Sequence, residues 1–193
     1  FGLYCDLAQY ISWKYGSYDG TAEYRRFKIG GVLMFFQQFR IWGIDISWTL
    51  VYLGANFIDY EYRIKRDEIW EYACDLAKDI PNNPLLMRLL IADETEEFYS
   101  IVQKLSESEK INLEFEKRKW IVYVLYQAVH ALPKNPSFED MFTLSDLWGY
   151  LGRPKHYPWN PAKNDYVKAS DYDNMINIHK EWIDVELDAL KGG

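Results

Sequence analysis

The chain has 193 residues, with 29 Asp and Glu against 22 Lys and Arg and a net charge of −7. Its 49% hydrophobic content is ample for a buried core, which excludes a largely disordered chain, and the length suits a single domain. The acidity argues against a nucleic-acid ligand, because phosphate affinity comes from clustered Lys and Arg; Arg25-Arg26-Phe27-Lys28 and the set Arg63, Lys65, Arg66 are too short to overturn that.

The period is helical nearly everywhere, and the expected class is all-α: an irregular bundle or helix-pair stack of about seven or eight helices. Thr21 is placed to cap a helix running to about Trp42, interrupted by Gly30-Gly31 and ended by Gly43. A possible subdivision falls near 43–47. Ser47 caps a short helix from Trp48 to about Asn56. Phe57 to Ile64 is the one stretch compatible with a short extended piece. Asp67 opens the next helix, with Ile69, Trp70, Ala73, Leu76, Ala77 and Ile80 inward, and Pro81-Asn82-Asn83-Pro84 stops it. A short helix follows from Leu85 to Ile91. Asp93 is then expected to cap a helix whose core face is Phe98, Ile101, Val102 and Leu105.

Lys110 to Leu132 carries the cleanest pattern, with Leu113, Trp120, Ile121, Val124, Leu125, Ala128 and Leu132 at three- and four-residue steps. Phe138 to Leu151 is the next helix. Residues 152–168, with three prolines, read as a long loop. Ser170 to Asp173 resembles a capping box ahead of a final helix whose face is Ile176, His179, Ile183, Leu187 and Leu190. No internal period indicates a repeat array.

The 18% of aromatic residues reads first as an aromatic core, with interface roles for Tyr and Trp as the alternative. Two cysteines, Cys5 and Cys74, set no disulfide framework and no zinc spacing, and reduced thiols in a cytoplasmic protein are expected. The most apolar run, Ile29 to Phe36, is too short for a bilayer, so no membrane association is expected. No secretory signal is visible; the chain begins at Phe1, which leaves that observation little weight.

Motifs for phosphate loops and nucleophile elbows are absent from the sequence, as is Glu-x-x-His, so no catalytic residue, cofactor or metal is assigned. His179 falls on an apolar face and reads as a packed residue, and His130 suits a helix C-terminus. The loop Gly152 to Trp159 interleaves cations and aromatics. Arg153, His156, Tyr157 and Trp159 form a possible loop site, against the plainer reading that Tyr157 and Trp159 pack back on the core.

The net charge is confined. Residues 61–116 hold fourteen acids and seven bases, and the rest of the chain is balanced. Asp67, Glu71 and Asp75 form an i, i+4, i+8 row, which costs an isolated helix about 0.2–0.5 kcal/mol per like-charged pair. Glu94, Glu96 and Glu97 suit the positive end of a helix dipole. Glu181, Asp184 and Asp188 make another row on the last helix. Any such row is ordinarily a solvated face.

Ser47-Trp48-Thr49 through Tyr52-Leu53-Gly54, Ile69-Trp70-Glu71-Tyr72-Ala73, Leu89-Leu90-Ile91-Ala92, Val102-Gln103-Lys104-Leu105 and Lys119-Trp120 together resemble a small helical bacterial family of unknown function. Its members are similar in type to immunity proteins encoded beside polymorphic toxins. The resemblance spans about residues 47–132 and carries no catalytic residues; the Gly152–Trp159 loop and the final helix depart from it.

Three functions follow as expectations. The first is a non-catalytic, immunity-type inhibitor that holds a basic toxin domain through Asp67, Glu68, Glu71, Asp75, Glu94, Glu96 and Glu97, with aromatic hot spots. The second is a homo-oligomeric structural or scaffold protein. The third is a carboxylate-dependent metal hydrolase.

Overall fold

The computed structural model describes residues 34–154, 157–158 and 171–192, all of them within one unit, Met34–Gly193. The described residues form eight α-helices and no strand: α1 Phe35–Trp42, α2 Trp48–Ala55, α3 Arg66–Asp79, α4 Pro84–Ile91, α5 Thr95–Glu107, α6 Leu113–Ala131, α7 Phe138–Tyr150 and α8 Tyr172–Lys191. The expected all-α class is observed.

The boundaries follow local chemistry. Gly43, at φ 68, closes α1 in the left-handed conformation that a Cβ disfavours. The Ser47 hydroxyl accepts the Leu50 N–H at 3.0 Å and starts α2. Asn83 and Asn112 cap α4 and α6 through their side-chain oxygens, and Ser137 with Asp140 forms a reciprocal capping box at α7. Other expected ends differ. Asp93 does not cap α5; Glu94 is the N-cap residue and makes no side-chain cap bond. Asp171 is the N-cap residue of α8 and makes no side-chain cap bond. Between α2 and α3 the chain makes a 3-10 turn, Tyr60–Tyr62, in place of an extended piece. The expected residues 21–33 of the first helix, Ser170, and most of the 152–168 loop lie outside the described residues.

α2 sits at the centre, packed between α5 and α6. α3, α4 and α5 make two successive antiparallel hairpins: the Trp70 indole donates to the Leu90 carbonyl across the first, and Arg88 pairs with Glu97 across the second. α1 lies along α3 in the same direction, with Phe36 stacked on Tyr72 at 4.4 Å and Arg40 bonded to Asp75. α8 packs on α6 and reaches α7 through Trp148.

The core is aromatic. Phe35 and Phe39 meet Trp120 and Tyr123 of α6, Trp42 meets Tyr126, and Phe57 closes on Trp120. Such edge-on and tilted pairs add about 0.5–1.5 kcal/mol each beyond burial. Phe98, Ile101, Val102 and Leu105 are all buried, as their period required. Two expected core positions are exposed: Ile80, beyond the end of α3, and Leu113, at the solvent-facing start of α6 (47%).

Candidate functional site

Nine of the fourteen acids of residues 61–116 fall into three structural groups. The first supports α2. The Glu109 carboxylate accepts the Trp48 and Thr49 N–H groups at 2.8 Å each and the Thr49 hydroxyl at 2.9 Å. With Ser47 on Leu50, the first three N–H groups of α2 are satisfied, and a negative charge meets the positive end of its dipole. Below lies Glu116, 2% exposed, which accepts from Ser47 Oγ at 2.7 Å and from Lys119 Nζ at 2.9 Å. Lys119, 6% exposed, also donates to the Asp45 carbonyl at 2.9 Å. Sequence reasoning counted Glu109 and Glu116 among scattered acids. The available signal was helical period: Glu116, Trp120 and Tyr123 recur at i, i+4, i+7, which turns Glu116 inward with the aromatics.

The second group is neutralised. Asp75 accepts from Arg40 at 2.9 Å and from Lys78 at 2.8 Å. Partial burial works against its ionisation, but the Lys78 and Arg40 hydrogen bonds outweigh it and hold the carboxyl below the ordinary range. Glu97 takes Arg88 through two donors at 2.9 and 2.6 Å. Glu68 is half-buried and accepts the Lys65 N–H; burial raises its carboxyl, against the pull of the Lys65 and Phe35 backbone. Glu71 is likewise engaged. The Asp67–Glu71–Asp75 row therefore does not stand as an uncompensated repulsion: its last member is bracketed by two cations.

The third group is the candidate interaction site. Asp67, Glu94 and Glu96 are exposed and make no ion pair among the described residues. Asp67 lies in the first turn of α3; Glu94 and Glu96 open α5. Arg66 holds those two helix starts together, donating to the Ala92 carbonyl at 2.6 Å and the Asp93 carbonyl at 3.1 Å, with its guanidinium 4.8 Å over the Phe98 ring. Helix N-termini stabilise these carboxylates while leaving their oxygens to solvent.

Among the described residues Trp48, Trp120, Tyr123 and Trp148 belong to the core, and Phe138, Phe142 and Tyr150 on α7 are exposed. In the 152–159 loop, Arg153 is exposed at φ 44 and Tyr157 packs 5.6 Å from Trp148, as the plainer reading of Tyr157 has it; His156 and Trp159 lie outside the described residues. His179 is buried as expected, and His130 in the last turn of α6 bonds the Tyr126 carbonyl at 2.8 Å. Burial, then the charge of Asp75, pushes the half-buried Cys74 thiol up to about 12, where it is a poor nucleophile. Among the described residues no three His, Cys, Asp or Glu side chains converge as metal ligands, which the hydrolase reading would need. No described helix is long and apolar enough to cross a membrane.

An open depression of about 470 Å³ lies beside the middle of α3, where α1 ends: Phe39, Arg40, Gly43, Ile44, Asp45 and Tyr72 line it. The Tyr72 hydroxyl donates to the Ile46 carbonyl at 3.2 Å. Burial and then the Glu109 charge push its phenol up to about 12, with Asp45 adding to the rise and Arg40 opposing it.

These features define an all-helical domain with an acidic end and a polar network built into its centre. The chain belongs to the bacterial family described as "Uncharacterized protein conserved in bacteria (DUF2247)", which it matches over residues 36–187. No curated protein and no solved structure matches it.

Proposed function

We propose that the chain is a non-catalytic, cytoplasmic interaction module of the immunity type, whose acidic end binds a basic toxin domain and covers the cations which that domain uses for phosphates. The observation that carries this reading is the set Asp67, Glu94 and Glu96: three exposed, unpaired carboxylates on two helix starts that Arg66 fixes together. A preset acidic face accelerates encounter with a basic partner and discriminates against acidic ones. Glu68, Glu71, Asp75 and Glu97 are engaged within the chain and stand outside that face.

Co-purification with the product of the gene immediately upstream, followed by calorimetry, tests the reading. The expected complex weakens about tenfold or more on combining Asp67→Lys, Glu94→Lys and Glu96→Lys, and loses affinity with added salt. Failure to bind, or binding indifferent to the triple reversal, removes it.

One observation favours a second reading, a homo-oligomer. Phe138 and Phe142, 62% and 59% exposed, stack at 6.3 Å on the outer face of α7. Sedimentation that shows a monomer across micromolar concentrations dismisses it.

A further inference from the structure

We propose that the outer face of α7 docks against the same face of a second copy of this chain, with the two helices antiparallel about a two-fold axis near Ser145. This rests on the homo-oligomer reading and gives it a surface and a register. Met141, Leu144, Leu147 and Trp148 form the buried side of α7, which fixes what its other side carries. At three- and four-residue steps that side reads Phe138, Phe142, Ser145 and Gly149: two exposed rings on the first half, two small residues on the second. Nothing among the described residues calls for Gly149. Its φ is not positive, a Cβ there meets nothing within 4 Å, and alanine is the better helix former. A helical glycine that neither a turn nor a neighbour requires is accounted for by a group that approaches closely from outside.

Shape and charge both select a second copy. Antiparallel pairing brings the large half of one helix onto the small half of the other, so that Phe142 sits over Gly149 of the second copy. A parallel pair sets ring on ring and glycine on glycine, which leaves a void. Glu139 is exposed in the first turn of α7, and Arg153 is exposed just past the last turn, where its N–H donates to the Trp148 carbonyl at 3.1 Å. Neither side chain makes an ion pair among the described residues. About the axis near Ser145, Glu139 stands opposite Arg153 of the second copy, twice by symmetry; a parallel pair sets like charge on like. Asp146 opposes the contact, because it lies beside the axis and approaches its own counterpart. One helix per copy makes a small interface, below about 1,200 Å², so the dimer is weak and reversible.

Sedimentation of the full chain and its variants tests the contact. The parent is expected to dimerise reversibly in the micromolar range. Gly149→Gln meets nothing in its own chain, so in dilute solution it is expected to keep or raise the thermal midpoint, while it weakens the dimer about tenfold or more by filling the place of the ring. Asp146→Asn is expected to strengthen the dimer. Glu139→Lys and Arg153→Glu are each expected to weaken it about threefold, and the double variant, which exchanges the charges across the axis, to recover the parent's affinity. A monomeric parent removes this proposal together with the homo-oligomer reading. A dimer indifferent to Gly149→Gln, or a double charge variant no tighter than its singles, overturns the α7 contact and leaves that reading standing.

Discussion

The Trp148 indole N–H donates to His179 Nε2 at 2.9 Å inside the α7–α8 contact, and this single bond fixes the histidine's tautomer. Nε2 accepts, so Nδ1 carries the proton and donates to the Met175 carbonyl at 2.8 Å. The ring is neutral and has no lone pair left over. A second proton has to go to Nε2, where it faces the indole N–H.

Stability therefore depends on pH through His179. Burial lowers its folded pKa below 6.5, partly offset by the Met175 carbonyl. An unfolded histidine takes its proton near 6.5, so the unfolded chain binds protons that the folded one refuses. The stabilisation is complete above 6.5 and is lost as pH falls through the lower, folded value. Urea midpoints measured from about pH 8 down to about pH 5 are expected to fall, and His179→Gln, which keeps an acceptor for Trp148 without a titrating group, is expected to flatten that fall. An unchanged slope in the variant means that other groups set it.

The Glu116–Lys119 pair makes a second prediction. Both partners are almost fully buried, and each has a further bond, Glu116 to Ser47 and Lys119 to the Asp45 carbonyl. Deleting one charge strands the other, at a cost of about 3–5 kcal/mol. Lys119→Met and Glu116→Leu alone are each expected to destabilise by that order. The double variant is expected to be far less unstable than the sum, because no orphan charge remains. Denaturant midpoints of the four-member cycle decide it; additive losses mean that the two side chains act independently.

The helices were legible because their cause is local. Gly43, Pro81, Asn83 and Ser137 act within a turn of their own positions, and the Phe98–Leu105 face shows its burial in its spacing. What sequence reasoning missed lies in partners far apart along the chain. Asp75 read as one of a like-charged row; Lys78 lies only three residues on, but Arg40 is 35 residues away. Glu109 read as surface charge because the helix start it caps is about 60 residues earlier. Leu113 read as core because period alone does not show that α6 begins before its partners do. The candidate site was legible in part. Charge counting found the acidic stretch, but only the fold separates Asp67, Glu94 and Glu96 from the acids that already have partners.

Gly54 gives the sharpest packing prediction. It lies inside α2, where alanine is the better helix former by about 1 kcal/mol. Yet a Cβ built there lands on the Ile64 side chain and the edge of the Trp120 ring. Ile64 is held by its own N–H bond to the Gly54 carbonyl at 3.2 Å, and Trp120 is wedged among Phe35, Phe57 and Tyr123. Neither neighbour moves freely, so overpacking outweighs helix propensity. Gly54→Ala is expected to destabilise by about 1–3 kcal/mol despite the propensity gain. Ile64 Cδ1 is the atom most closely approached, so Ile64→Val, which deletes it, is expected to recover part of the loss in the Gly54→Ala background. A Gly54→Ala protein as stable as the parent shows that the α2–α6 contact is looser than its geometry.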